Sequence, residues 1–234
     1  MIITLAPPQN ITSIDLGTSS PKLGGVIDVT SFINLVSFEA HEGTIGNDID
    51  GFIISETNYN LELVRLLSNK LTGSANQYMP QNVVDFQIQE NELDEPLSDL
   101  SSFTQLEIIA TSNNPNMGGS IPSLPSGIKV LDLGKSGITG DLPPLGTYTS
   151  MWKCWLYLND ISIPSNWTAP AGLNEIRLQG CSLSSTEVNT LLVEIDSLGS
   201  SNGCLMLQAN GAPTGAGLTA KSNLIARGWD VTTS

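Results

Sequence analysis

Basic residues are scarce in this chain: nine Lys and Arg stand against 23 Asp and Glu, a formal net charge of −14 over 234 residues. Such a field repels phosphate backbones and anionic headgroups, so a nucleic-acid or acidic-membrane partner is disfavoured. Histidine is scarcer still, with His41 alone. One histidine, no Cys/His metal spacing and no Gly-Lys phosphate loop leave triad hydrolysis, zinc chemistry and nucleotide use without support. The three cysteines, Cys154, Cys181 and Cys204, form no C-x-x-C pair and read as small buried side chains with free thiols. No apolar run is long enough to span a bilayer. The opening MIITLAPP lacks the basic start and apolar length of a signal peptide, so we expect synthesis in a cytosol and no glycan at the Asn10 and Asn166 sequons.

What the chain does have is one short pattern, repeated. LELVRLLSNKL places Leu61, Val64, Leu66, Asn69 and Leu71 at the spacing L-x-x-L-x-L-x-x-N-x-L. Physically this is a short strand whose Val64 and Leu66 point to one side, followed by a turn at which an asparagine amide satisfies backbone groups that the bend leaves unpaired. Taking the first apolar position of each copy gives Ile11, Ile33, Leu61, Val83, Leu106, Ile128, Met151 and Leu173, with Asn202 opening a degenerate last copy. Six of the eight intervals are 22 or 23 residues, a regularity that chance apolar runs do not produce.

The pattern resembles the leucine-rich-repeat family over residues 11–212. Full copies begin at Val83, Met151 and Leu173, the last with Cys181 in the asparagine position, a substitution the family accepts; the Ile128 copy carries Ser136 there. Thr111 replaces a core leucine in the Leu106 copy, and the first two copies keep only their strand half. The resemblance implies a β-rich α/β fold: a right-handed leucine-rich-repeat solenoid with a parallel sheet on its concave face. Asn69, Asn91, Asn114, Asn159, Cys181 and Asn210 would form the structural turn ladder. The GSIP, GDLP and Ile163-Pro164 continuations are similar to short-repeat variants, whose convex side is extended or 3₁₀.

The flanks depart from the repeat. Residues 1–10, with Pro7-Pro8, read as an N-terminal cap. The 28-residue interval holds an insertion near 46–60, in which Asp48 to Gly51 has part of a calcium-loop spacing but lacks the acids that should open and close the loop. Ser184 with Glu187 forms a capping box, and Val188, Leu191, Leu192, Ile195 and Leu198 fall at helical spacing. Residues 213–234 read as a C-terminal helical cap, with a helix over 219–227 stopped by Gly228 and Trp229 folding back on the core. This closing segment, from Ala212-Pro213 through Gly217-Leu218-Thr219 to Arg227-Gly228-Trp229, is similar to the endings of repeat proteins from bacteriophage virions and bacterial surfaces.

Few residues in this pattern could carry catalysis. Gly199 to Gly203 satisfies G-x-S-x-G but runs from helix to strand, the reverse of a nucleophile elbow. His41 falls at the turn of the second copy, and the acids Glu90, Glu92, Asp94, Glu95 and Asp99 cluster on a solvated turn. A glycosidase would need two opposed carboxylates, and Asp85, Asp132 and Glu175 come from different copies. A binding surface is the better reading. The outward-facing strand positions hold Trp155 and Tyr157 beside Asp132, Lys153 and Arg177, with Arg65 and Gln87 in the same column, the composition of an interface hot spot or a sugar-stacking patch. Leu35, Leu63, Ile108 and Val130 form an apolar column that needs cover. We therefore expect a non-enzymatic module without cofactor or metal. With the C-terminal resemblance, the expectation is a virion protein, either tail-fibre or receptor-binding or a particle decoration. Its partners would be other virion proteins, copies of itself, or a host-surface protein or glycan. The alternative is a bacterial adhesin or effector at the cell surface or secreted.

Overall fold

The computed structural model of the chain describes residues 10–16, 23–40 and 48–234. His41 and all but Asn10 of the expected N-terminal cap lie outside them. The chain divides into two compact units, residues 1–117 with 122–125, and residues 118–121 with 126–234.

Each unit stacks short strands, of three or four residues, in parallel register, one strand to a coil. In the N-terminal unit β1 (Ser13–Asp15), β3 (Ser37–Glu39), β5 (Leu63–Arg65), β6 (Asp85–Gln87) and β7 (Ile108–Ala110) pair in that order. Their central residues Ile14, Phe38, Val64, Phe86 and Ile109 lie opposite one another. The last four are completely buried. In the C-terminal unit β8 (Val130–Asp132), β10 (Lys153–Trp155), β12 (Glu175–Arg177), β13 (Cys204–Leu207) and β14 (Asp230–Thr233) stack in the same way. Leu131, Cys154, Ile176, Leu205 and Val231 make the central rung there. A strand this short has one inward side chain, and that side chain meets the equivalent residue of the next coil; burial therefore grows only by adding coils.

A recurring turn sets the frame of each coil. Leu61 N–H donates to the Asn58 carbonyl, and Val83 to Pro80, Leu106 to Phe103, Met151 to Tyr148 and Leu173 to Pro170 in the same way. The same bond runs from Leu35 to Phe32. The second copy therefore starts at Leu35 and not at Ile33, which is 56% exposed, while Leu35 is fully buried. This corrects the sequence frame by two residues. Choosing between Ile33 and Leu35 needs the turn, because both are apolar, both flank Asn34, and each has an apolar residue, Phe32 or Val36, on its other side.

The turn residues behave as amide staples. Asn159 donates from Nδ2 to the Leu133 and Leu156 carbonyls at 2.8 and 2.9 Å and accepts at Oδ1 from Ser136 and Ile138 N–H at 3.1 and 3.0 Å. Asn91 and Asn114 likewise donate to the preceding coil's Leu66 and Ile88 carbonyls while accepting from Leu71 and Leu93 N–H. Asn210 donates to Leu178 and Leu207 and accepts from Cys181 and Leu183. Asn69 donates to Ala40 and Leu67. Cys181 keeps a single short contact, Sγ to the Leu156 carbonyl at 3.1 Å. One residue before each of these positions the backbone turns left-handed: Ser68, Glu90, Asn113, Lys135, Leu158, Gly180 and Ala209 all have φ between 52° and 68°. Only Gly180 and Asn113 are residue types that favour this region, so the other five carry no side-chain sign of the strain.

Outside the strand rows, β2 (Gly24–Asp28) pairs with β4 (Asp48–Ile53) and β9 (Thr139–Asp141) with β11 (Asp160–Ser162), and residues Ala75–Tyr78 form a 3₁₀ turn. The calcium-like stretch Asp48 to Gly51 is therefore strand, and the Asp48 carboxylate lies 3.0 Å from Lys70 Nζ. Helix α1 (Ser185–Ser197) carries the capping box and buries Val188, Leu191, Leu192 and Ile195. Helix α2 spans Gly215–Ala226, starting four residues before the expected Thr219. Thr214 makes no side-chain cap; its N–H instead donates to Asn189 Oδ1 of α1, and Gly217 lies flush on Asn189, so contact with α1 starts this helix. Gly228 (φ +84°) ends the turn after it, and buried Trp229 donates from Nε1 to the Ser200 carbonyl. The segment read as a helical cap then adds β14, a strand the sequence reading lacked.

Candidate binding face

The C-terminal unit brings Asp132, Lys153, Trp155, Tyr157 and Arg177 onto one side of its strands. Asp132, Trp155, Arg177 and Met206 are in direct register, as are Val130, Lys153, Glu175 and Cys204. The Trp155 ring receives two cations: Lys153 Nζ at 4.2 Å from its centroid and the Arg177 guanidinium carbon at 4.1 Å. Such contacts contribute from about 0.5 kcal/mol when exposed to about 2 kcal/mol when desolvated. Glu175 orients both cations, with Arg177 Nη2 at 2.7 Å and Lys153 Nζ at 3.7 Å. Tyr157 lies on Gly134, where an added Cβ would come within 2.1 Å of its ring. Asp132 is buried and accepts from Gly134 N–H at 3.2 Å.

One contributor escaped the sequence reading. Trp152, 41% exposed, stands just before β10 with its ring centroid 4.7 Å from Lys153 Nζ. Lys153 touches both indole rings, so the cluster is a cation set between two tryptophans with an arginine on the inner one. Beneath it the Cys154 thiol is pushed up to about 12 by burial, reinforced by the Asp132 charge and by Cys181.

Arg65 and Gln87 belong to the N-terminal unit and form a separate network. Arg65 donates to Asp85 Oδ2 at 2.6 Å and Glu39 Oε2 at 3.3 Å, and Gln87 donates to Asp85 Oδ1 at 2.8 Å. Burial works against the Arg65 charge, but the Asp85 and Glu39 carboxylates outweigh it and hold its pKa above the usual guanidinium value. The register places Glu39 opposite Asp15 and Arg65. Leu35 leaves the proposed apolar column for the core, and Val130 is only 9% exposed. The column that seemed to demand cover shrinks to half-buried Leu63 and Ile108.

The acids of the turn after β6 are solvated: Glu92, Asp94, Glu95 and Asp99 are exposed, and Asp99 accepts from Ser101 N–H. Among the described residues no three His, Cys, Asp or Glu side chains gather to hold a metal ion, and no helix is long and apolar enough to cross a membrane.

No protein-family model and no curated protein matches the chain. Solved structures similar to it include a leucine-rich-repeat protein of Leptospira interrogans, at 15% identity and a TM-score of 0.40, matched over 89% of this chain. An internalin of Listeria monocytogenes is matched at 14% identity and a TM-score of 0.31, over 96% of this chain and 86% of its own. The chain spans 64% of the length of the Leptospira protein.

Proposed function

We propose that the chain is a non-enzymatic binding module that grips a protein partner through the strand face of its C-terminal unit. The observation that carries this is the Trp152–Lys153–Trp155–Arg177 cluster. Two indoles and two cations at ring-contact distance are held in place by Glu175 and a rigid strand register. Tryptophan and arginine dominate interface hot spots because they bury a large area with few rotatable bonds. Two cations already contact the Trp155 ring, which favours a protein contact over a sugar stacked on that ring. The carboxylates nearest the cluster, Glu175 and Asp132, are committed to Arg177 and to Gly134 N–H, which supports a binding role over hydrolysis.

The setting we propose is a bacteriophage virion, on the likeness of the Ala212-to-Trp229 ending to virion repeat proteins. Mass spectrometry of purified particles tests it: peptides of this chain at stoichiometric abundance support it, and their confinement to a bacterial surface fraction would move the module to an adhesin. For the face itself, Trp152→Ala with Arg177→Ala should weaken capture of the partner by at least tenfold while the far-UV spectrum is unchanged. Undiminished capture removes this face. Release of reducing ends from polysaccharide would overturn the non-enzymatic reading.

A further inference from the structure

The acidity of the chain is not evenly spread. The N-terminal unit holds 15 of the 23 acidic residues and three of the nine basic ones, a formal net of −12, whereas the C-terminal unit holds eight and six, a net of −2. On the more acidic unit, three successive coils open a groove of about 500 Å³ lined by Tyr59, Asn60, Glu62, Asn82, Val84 and Gln105. These residues sit just before β5, β6 and β7, so the strand register holds them in line.

The charge of the lining is one-sided: Glu62 is its one ionised side chain. Asn60 and Asn82 each donate from Nδ2 to the preceding coil, to the Ile33 and Tyr59 carbonyls, both at 3.0 Å. Each amide thereby spends one of its two N–H donors on the chain, and each Oδ1 is left as an acceptor with no partner among the described residues. Glu62 is exposed, and its carboxylate pairs with no cation there; the nearby Arg65 is spent on Glu39 and Asp85. Tyr59 is 62% exposed and offers a ring face. No lysine or arginine lines the groove. A carboxylate, amide oxygens, an aromatic face and the apolar Val84 side chain are what a guanidinium or ammonium on an alkyl stem requires. A divalent ion would need several carboxylates converging, and this groove has one.

We propose that this groove takes an arginine or lysine side chain from a basic protein segment, drawn in by the −12 field of the unit. It is a second contact, independent of the tryptophan face of the C-terminal unit. A neutral or acidic segment would desolvate Glu62 without compensation.

The test uses the full chain and fluorescein-labelled hexa-arginine amide, with binding read by fluorescence anisotropy at low and at physiological ionic strength. Glu62→Gln and Tyr59→Leu should each weaken binding at least fivefold. Tyr59→Phe, which keeps the ring face, should stay within twofold of the wild type. So should Glu95→Gln, which removes an equal charge from an exposed position outside the groove, and so should Trp152→Ala. Equal losses for Glu62→Gln and Glu95→Gln would reduce the effect to diffuse attraction and overturn the proposal. Loss on Tyr59→Phe as large as on Tyr59→Leu, or absence of saturable binding, would overturn it as well.

Discussion

Replacing Asn159 by alanine tests the physical basis of the solenoid most directly. Its side chain closes four buried backbone hydrogen bonds, two carbonyls on Nδ2 and two N–H groups on Oδ1, spanning two coils. Each buried group left unpaired costs roughly 1–3 kcal/mol, and partial relaxation or admission of a water recovers some of it. We expect Asn159→Ala to lose about 4 kcal/mol. Cys181 holds the equivalent place one coil on with one short sulfur contact, to the Leu156 carbonyl, and one long one at 3.9 Å to Gln179, so Cys181→Ala should lose about 1 kcal/mol, mostly packing. Both lie in the C-terminal unit, so one urea titration followed by tryptophan fluorescence reports both on the same scale. Asn159→Asp gives a second handle. Its carboxylate would face the Leu133 and Leu156 carbonyls, which raises its pKa in the folded state above the unfolded value. Its stability should therefore be greatest below pH ~4 and fall as pH rises through the folded pKa. Losses of equal size for Asn159→Ala and Cys181→Ala, or a loss under about 1 kcal/mol for Asn159→Ala, would refute the amide staple as the term holding coil to coil.

Other consequences are checked in the same way. Leu158 has φ +55° and is 55% exposed, so Leu158→Gly should relieve left-handed strain at little packing cost and raise stability by about 0.5–1 kcal/mol in urea. Burial, with Asp132 and Cys181, lifts the Cys154 thiol from 9.0 to about 12, so the unfolded chain ionises first and stability falls as pH climbs from 9 towards 12. Urea midpoints across that range should decline, and Cys154→Ala should make the decline shallower. Gly217→Ala would place a Cβ 2.0 Å from Asn189 Oδ1 and 3.1 Å from its Cα, prising α2 from α1 at a cost of about 1–3 kcal/mol, visible as a lowered Tm.

Much of the candidate face was legible before any coordinates, because strand period and coil length together decide which side chains share a column. Trp155, Lys153 and Arg177 were grouped on that basis, and the register places them together. Trp152 was missed because it precedes the strand, where alternation says nothing about direction. The Tyr59 groove was missed for the same reason: its six residues occupy connecting positions whose aim is set by turns. The apolar column failed at Leu35, where a two-residue frame error moved a core side chain to the surface.

The amino-acid order by itself determined the coil length, the inward residues from Leu61 to Leu207, the asparagine, serine or cysteine at each bend and the start of α1, since these rest on local spacing and on hydrogen-bonding groups carried by single side chains. Only the tertiary structure decided the frame of the second coil, the left-handed residue before every bend, the outer strand pairs, β14, and the cations on Trp155. Those depend on what the next coil offers in hydrogen bonds and contact, and a neighbour about 22 residues away leaves no mark in local periodicity.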